Sequence, residues 1–253
     1  MPKYDAPFWR RVLGRAKPTV LMGTLNRLVE NQEQKVTLAL TDSLAEHELL
    51  ESILEDSKPS PGDQPALRKL DYLLRTPWRY PPLRWGSRFG RRFEPSLFYG
   101  ALSRHALFAE AAYYRLVFLN GMEQPFKDRV ISQFTVFQAL YRTDAGLDLS
   151  QAPFARHEAV LRHKSDYTAC QTLGSELRAR DIEAITYLSA RTEGREMNVA
   201  LFSPDALRSR KHRNLRRGLC ETRLDGVSFS LRGETTHFAR EQFLYRGQLP
   251  VPA

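Results

Sequence analysis

One helical segment with a carboxylate on its apolar face constrains the fold of this 253-residue chain most strongly. Residues 103–118 (SRHALFAEAAYYRLVF) repeat apolar side chains at intervals of three and four, as an amphipathic helix with one buried face does. The predicted inward stripe has Glu110 in its middle, and its other members are Ala106, Leu107, Ala111, Tyr114, Val117 and Phe118. A carboxylate is rarely buried without a partner or a chemical task. The pattern therefore predicts a helix that presents Glu110 to a functional site.

Glu110 is the last of three candidate residues spaced at equal intervals along the chain. Arg88 lies in a loop between Gly86 and Gly90, and Tyr99, eleven residues later, lies in a short predicted strand. Glu110 follows after another eleven residues, on the helix. We expect the loop, the strand and the helix to bring these three side chains to one pocket for an anionic, sugar-bearing ligand.

A later strand adds two further candidates. In residues 182–189 (IEAITYLS), period-two geometry places Tyr187 and Ser189 on one face. In a shared cleft, Arg79 or Arg88 would offer a planar fork for diphosphate oxygens, and a tyrosine would offer a flat surface for a ring. The Glu110 carboxylate would stabilise positive charge that develops on a ribose carbon. Because cationic nicotinamide is a good leaving group, one well-placed glutamate suffices for such a glycosidic cleavage.

Each candidate also has an ordinary structural explanation. Arg88 can form a salt bridge with Glu110, Tyr99 can pack in the core, and Ser189 can be a hydrogen-bonding residue at a strand end. Other catalytic templates do not fit, because the chain has no G-x-S-x-G elbow, no Walker-type glycine loop and no G-x-G-x-x-G. A loose cluster of His157, His163 and Cys170 lacks compact zinc spacing, so no metal is expected.

The charge of the chain leaves a second function class open. The formal net charge is +9, and thirty of the 38 basic residues are arginine. The densest group is residues 208–217 (RSRKHRNLRR), interpreted as a solvated helix face or exposed loop, or as a nucleic-acid patch. The alternative function is accordingly a non-enzymatic nucleic-acid-binding or protein-interaction module. Because no apolar run reaches membrane-spanning or signal-peptide length, a cytoplasmic protein with reduced Cys170 and Cys220 is expected.

The organisation of the chain indicates a mixed α+β fold. Residues 1–65 are predicted to form a helical N-terminal extension, with helices at 20–29 and 44–54 and a linker at 58–65. Residues 66–253 form the main domain, in which loops, short strands and helices succeed one another. Within it we predict a strand or helix at 130–140, a helix through Tyr167, Cys170, Leu173 and Leu177, strands at 182–189 and 197–202, and a hairpin at Asp225-Gly226.

Two segments of the chain resemble a known family. RYPPLRWGSRFGRRFEPSLFYGALSRHALFAEAAYYR and ITYLSARTEGREMNVALF together closely resemble the RES domain, a family of toxins from toxin–antitoxin pairs. The resemblance covers roughly residues 75–202. The family's arginine, tyrosine, glutamate and serine match Arg88, Tyr99, Glu110 and Ser189. Its preceding Arg-Tyr pair matches Arg79-Tyr80, with Arg75 as the competing arginine.

The resemblance implies a fold and an activity. The fold would be like that of ADP-ribosyltransferases, and the substrate would be NAD, which is either depleted or used to transfer ADP-ribose to a protein target. Arg79, Tyr80, Arg88, Tyr99 and Ser189 would bind NAD, and Glu110, Arg88 and Ser189 would carry catalysis without a metal. The resemblance also implies an Xre-type helix-turn-helix antitoxin, whose C-terminal part blocks the cleft. The long interval between Glu110 and Ser189 and the extra N-terminal region leave the oligomeric state and the docking mode open.

Overall fold

The computed structural model describes residues 3–30, 65–79, 84–124 and 128–251, together with residues 43, 45, 46, 49 and 53. These residues form one mixed α+β unit built on a large sheet, as the sequence predicted. Its strands are β1 (Thr19–Glu30), β2 (Phe98–Ala101), β3 (Val130–Asp148), β4 (Ala184–Leu188), β5 (Met197–Leu201), β6 (Arg213–Thr222), β7 (Gly226–Leu231) and β8 (Glu234–Ala239). Its α-helices are α1 (Ala6–Leu13), α2 (Pro65–Arg68), α3 (Tyr72–Arg79), α4 (Arg104–Asn120), α5 (Glu158–Leu161) and α6 (Thr168–Arg178).

The sheet closes partly on itself. Its strand order is β1-β2-β5-β4-β3-β6-β7-β8, and β1 additionally pairs with β3. The pairings β1–β2–β5–β4–β3–β1 therefore form a ring, and β6, β7 and β8 extend the sheet beyond it. Only β3 and β4 run parallel among these pairs. Predicted strands at 182–189 and 197–202 are confirmed as β4 and β5, and the predicted hairpin at residues 225 and 226 joins β6 to β7.

The helix predicted at residues 20–29 is wrong, because this segment is strand β1. From Leu21 to Glu30, β1 pairs with β3 residue by residue. Apolar residues spaced at three and four also suit a strand in which both faces are partly buried. Pairing with a distant strand then decides between helix and strand. Gly23 gives a local reason, since glycine costs about 1 kcal/mol in a helix interior and here faces the Tyr141 ring of β3. The helix predicted at 44–54 and the linker predicted at 58–65 lie almost entirely outside the described residues.

Two helices position the candidate site. Helix α4 begins at its N-cap Ser103, whose hydroxyl accepts a hydrogen bond from the backbone N–H of Ala106 at 3.1 Å. One side of α4 packs against the sheet through Phe108, which stacks on Phe229 of β7 with ring centroids 4.7 Å apart, in a cluster that also contains Cys220 of β6 and Phe238 of β8. The predicted helix through Tyr167 and Leu177 is confirmed as α6, which packs with α1 in a separate apolar cluster. None of the helices in the described part of the chain is long and apolar enough to cross a membrane.

The arginine-rich segment at 208–217 is not helical. Its first part is a loop, as one of the two interpretations held, and its second part is the start of β6, which pairs with β3. The helix-face interpretation is therefore wrong. Arg208, Arg210 and Lys211 in the loop and Arg213 and Arg217 in β6 are exposed.

Candidate functional site

A cavity of about 1080 Å³ opens between α4 and the ring of strands. Its walls come from β1, the glycine-flanked loop of Arg88, β2, α4 and the neighbouring ends of β4 and β5. Of the residues predicted from sequence, Arg88, Tyr99, Glu110 and Tyr187 line this cleft. The predicted convergence of the loop, the strand and the helix is thus observed.

Most of the predicted inward stripe of α4 lines the cleft, while Ala106 and Leu107 of that stripe also pack in the core. Leu107, Glu110, Ala111, Tyr114 and Phe118 all line the cavity. The exposed fractions of Tyr114 and Phe118, 43% and 71%, show that this wall is open to solvent. The core side of the helix consists of Ala106, Leu107, Phe108, Ala109, Ala112, Tyr113, Leu116 and Leu119. The helix is apolar on two sides, so its periodicity alone did not separate the residues of the cleft wall from those of the core.

Glu110 is held in the cleft by donors from two strand ends. One carboxylate oxygen, Oε1, accepts hydrogen bonds from the Ser189 hydroxyl at 2.8 Å and from the Asn198 amide at 2.9 Å. The other oxygen, Oε2, lies 3.8 Å from Nε of Arg191. The Glu110 side chain remains 26% exposed. The carboxylate is therefore oriented from behind while it still faces the cavity.

Ser189 lies immediately after β4 and is fully buried. Besides donating to Glu110, its hydroxyl accepts a hydrogen bond from the backbone N–H of Arg191 at 3.1 Å. Ser189 is therefore a hydrogen-bonding residue at a strand end, and its partner is the candidate catalytic carboxylate. This contact matches a role in positioning Glu110.

Arg88 is buried, and its guanidinium is anchored to the protein. Its Nη1 donates to the carbonyl oxygens of Leu161 at 3.2 Å and His163 at 3.0 Å. Its Cζ lies 4.4 Å from the ring centroid of Tyr167, within cation–π range. Burial alone lowers the pKa of Arg88, but Tyr167, Cys170 and Glu110 raise it above the ordinary value. Arg88 is thus a permanent cation in the wall of the cleft, and the ion pairs found among the described residues give Glu110 a different partner, Arg191.

Tyr99 fastens the loop that carries Arg88. Its hydroxyl lies 2.8 Å from the hydroxyl of Ser87 and accepts a hydrogen bond from the backbone N–H of Phe89 at 3.0 Å. Burial raises the pKa of the Tyr99 hydroxyl to about 12, so the group stays neutral at physiological pH. Both neighbours of Arg88 are therefore held by one side chain from β2, which explains why a strand residue matters to the loop.

Three site residues were missed by the sequence analysis. Asn198 on β5 donates to Glu110, and Tyr167 supports Arg88. Arg191, two residues beyond Ser189, donates to the Tyr167 hydroxyl at 2.9 Å. For Asn198 a signal existed, since residues alternate along MNVALF and a polar side chain in a buried strand requires a partner. Nothing local distinguished Arg191 from the other residues of the ARTEGRE loop.

A second cation in the cleft wall, Arg27, was also missed, because its segment was predicted to be helical. Arg27 of β1 lines the cleft, and its Nη1 donates to the carbonyl oxygen of Tyr99 at 2.6 Å. Its Cζ lies 4.9 Å from the ring centroid of Phe98. Burial lowers the pKa of the Arg27 guanidinium to about 10, so it remains charged at neutral pH. The cleft therefore contains a second cation at a position suited to an anionic ligand.

The predicted pair Arg79-Tyr80 is only partly within the described residues. Arg79 is the last residue of α3, a helix whose Thr76 and Pro77 line the cleft. Neither Arg79 nor the competing Arg75 is among the described residues that form the cavity wall. Tyr80 lies outside the described residues. Their assignment to NAD binding stays a prediction.

The cysteines and histidines considered for metal binding do not form a ligand set in the described residues, where no group of three or more His, Cys, Asp and Glu side chains is suitably placed. Cys170 and Cys220 are both free and buried. Burial raises the pKa of the Cys170 thiol to about 11, so the thiol is protonated at neutral pH and packs as a small apolar residue.

Comparisons with known proteins give one family. The family model described as the RES domain matches residues 65–222. No curated protein sequence matches the chain significantly. Among solved structures, the chain is similar to the crystal structure of the M. tuberculosis MbcT-MbcA toxin-antitoxin complex, at 13% identity and a TM-score of 0.43 over 94% of each chain. The range matched by the family model contains the Arg88 loop, all of α4 and the strand ends that hold Glu110.

Proposed function

This chain belongs to the RES domain family, and from that membership together with the geometry of the cleft we propose that it is an NAD-consuming toxin of a toxin–antitoxin pair. The reaction is cleavage of the bond between nicotinamide and ribose. The acceptor of the ADP-ribosyl group is water, phosphate or a protein side chain.

The observation that carries this proposal is the oriented carboxylate of Glu110. Two donors fix Oε1, a cation stands near Oε2, and a quarter of the side chain faces a cavity large enough for a dinucleotide. When the glycosidic bond breaks, its electron pair leaves with the nicotinamide ring, which becomes neutral. Positive charge then develops on the ribose, and a fixed carboxylate stabilises that charge more strongly than mobile water would.

The remaining residues have roles in binding. Arg27 and Arg88 both line the cleft as cations, and we assign to them the diphosphate of NAD. The rings of Tyr114, Tyr167 and Tyr187 line the same cavity and offer flat apolar surfaces to the nicotinamide or the ribose. Arg79 and Tyr80, which the family resemblance assigns to NAD binding, remain part of this proposal.

The experiment that tests the function compares the unaltered chain with Glu110→Gln. Purified protein is incubated with NAD, with and without phosphate, and the products are identified by mass spectrometry. We expect nicotinamide release from the unaltered chain and a loss of about a thousandfold in rate for the variant, because the isosteric amide lacks the stabilising charge. The matched control is Glu123→Gln, an exposed glutamate just beyond α4, which should retain full activity.

The same experiment discriminates the alternative function. The exposed basic residues at the start of β6 suit a polyanion. If the chain leaves NAD intact and instead binds nucleic acid with an affinity that falls steeply as salt rises, the binding-module function replaces the enzymatic one. A glutamine variant as active as the unaltered chain would remove Glu110 from the chemistry.

A further inference from the structure

We propose that Arg191 is a positioning residue that holds the Glu110 carboxylate in its reactive orientation, an inference that rests on the proposed function. Arg191 lies in the loop after β4, in a segment that the sequence pattern marked only as a connection. Its own side chain is 1% exposed. It acts on the reaction through Glu110, because Arg191 itself is not among the residues that line the cleft.

The contacts of Arg191 connect both charged parts of the site. Its Nη2 donates to the hydroxyl of Tyr167, whose ring supports Arg88. Its Cζ lies 3.3 Å from the ring centroid of Tyr113, the α4 residue three positions beyond Glu110. Its Nε stands 3.8 Å from Glu110 Oε2. The Arg191 guanidinium therefore contacts both α4, which carries Glu110, and Tyr167, whose ring packs on Arg88.

The environment of Arg191 is energetically unfavourable for a cation without such a role. Two of its nitrogens, Nε and Nη1, are buried and have no hydrogen-bond partner. Unsatisfied buried donors and buried charges each cost free energy, and an apolar side chain of similar size would avoid both costs. Among the described residues, the acidic group that approaches this cation is Glu110. We attribute the retention of the buried charge to its effect on that carboxylate.

The geometry explains what this effect is. The Ser189 and Asn198 hydrogen bonds fix Oε1 but leave the carboxylate able to rotate about that oxygen. Attraction from Arg191 restrains Oε2 as well, so the plane of the group is held from three directions. Misplacement of a catalytic group by about 1 Å can cost about a hundredfold in rate. Removal of Arg191 should therefore lower kcat, while the binding of NAD by Arg27 and Arg88 persists.

The test compares Arg191→Met, which removes the charge, with Arg191→Lys, which keeps it. We expect kcat for NAD cleavage to fall about ten- to a hundredfold in Arg191→Met with KM changed less than about threefold, and Arg191→Lys to recover most of the loss. Arg195→Met is the matched control, because Arg195 is in the same loop, is 67% exposed and pairs with Glu158. If Arg191→Met does not fold, Arg191→Gln replaces it, since glutamine also removes the charge but keeps a polar amide.

A thermal double-mutant cycle gives a readout that does not depend on activity. Glu110→Gln leaves the buried Arg191 cation without its anionic partner. The double variant with Arg191→Met should therefore have a higher Tm than Glu110→Gln alone. Additive changes in Tm, or an unchanged kcat in Arg191→Met, would overturn the role of Arg191. A change in KM with kcat unaltered, or no recovery of kcat in Arg191→Lys, would equally reject positioning through charge. Absence of NAD cleavage by the unaltered chain would instead refute the proposed function itself, which keeps the two failures distinct.

Discussion

At the scale of single residues, the site combines one carboxylate with cations that are anchored before any ligand arrives. Arg88 is the clearest example, because two backbone carbonyls and the Tyr167 ring fix its guanidinium. Anchoring of this kind lowers the entropy lost when an anion binds. The planar shape of the guanidinium also matters, because Nη1 is bound to the backbone carbonyls and these contacts set the orientation of the whole group.

We predict that Arg88→Lys lowers kcat/KM for NAD at least tenfold. Lysine keeps the positive charge, but its single ammonium cannot contact both carbonyls, stack on Tyr167 and present a planar edge to phosphate. Steady-state kinetics with a thermal unfolding curve measures both consequences. Arg92→Lys serves as the control, because Arg92 is exposed in the same loop. Equal kinetics for the two variants would place Arg88 outside the site.

At the scale of elements, helix α6 holds the loop that presents Arg88. The Gln171 amide of α6 donates to the carbonyl oxygens of Trp85 at 2.8 Å and Ser87 at 3.1 Å. One turn further on, Gly174 lies so close to the loop that a Cβ there would overlap the carbonyl oxygen of Phe89. The helix and the loop can approach this closely only because residue 174 has no side chain.

We therefore predict that Gly174→Ala displaces the Arg88 loop. The overlap involves backbone atoms, so it cannot be relieved by a side-chain rotation, and overpacking of this kind costs about 1–3 kcal/mol of stability. Tm should fall by several degrees and NAD cleavage should weaken with it. Gly14→Ala is the matched control, since that glycine has a helical φ of −63° and a Cβ there makes only ordinary contacts. A Gly174→Ala variant with unchanged Tm and activity would contradict this account of the packing.

At the scale of the whole molecule, the +9 charge and the open cleft bear on how a toxin of this type is controlled. Arg27 and Arg88 line a cavity that also exposes Tyr114 and Phe118 of α4. A carboxylate-bearing, partly apolar segment of an inhibitor suits such a surface, because it can neutralise the cations and cover the apolar wall. Family membership supports an antitoxin as the source of that segment.

We predict that expression of this chain alone arrests growth and that coexpression with a neighbouring helix-turn-helix gene restores it. Direct blocking requires the complex to cover Arg88 and Glu110, so it should not bind NAD. The Glu110→Gln variant provides the control, since it should be harmless alone yet still bind the antitoxin. Unimpaired growth at high expression of the intact chain would refute the toxin role. A complex that still admits NAD would mean that inhibition acts through movement of the Arg88 loop.

The sequence determined those features that depend on neighbours along the chain. Helix α4, helix α6 and the strands around residue 189 follow from periodicity, which acts over a few residues. The spacing of Arg88, Tyr99 and Glu110 was also readable, and the structure confirms the expectation that these three side chains share one pocket. The family resemblance supplied the expected chemistry.

The tertiary structure alone decided the features that depend on distant parts of the chain. Strand β1 exists because β3, more than a hundred residues later, offers it a complete row of backbone partners, and this pairing brings Arg27 to the cleft. Packing between segments that are distant in the chain also made one side of α4 a cavity wall and placed Arg191 behind Glu110. Local patterns record which residues are apolar or charged, but the partner that satisfies a buried strand or a buried cation is chosen by packing between elements.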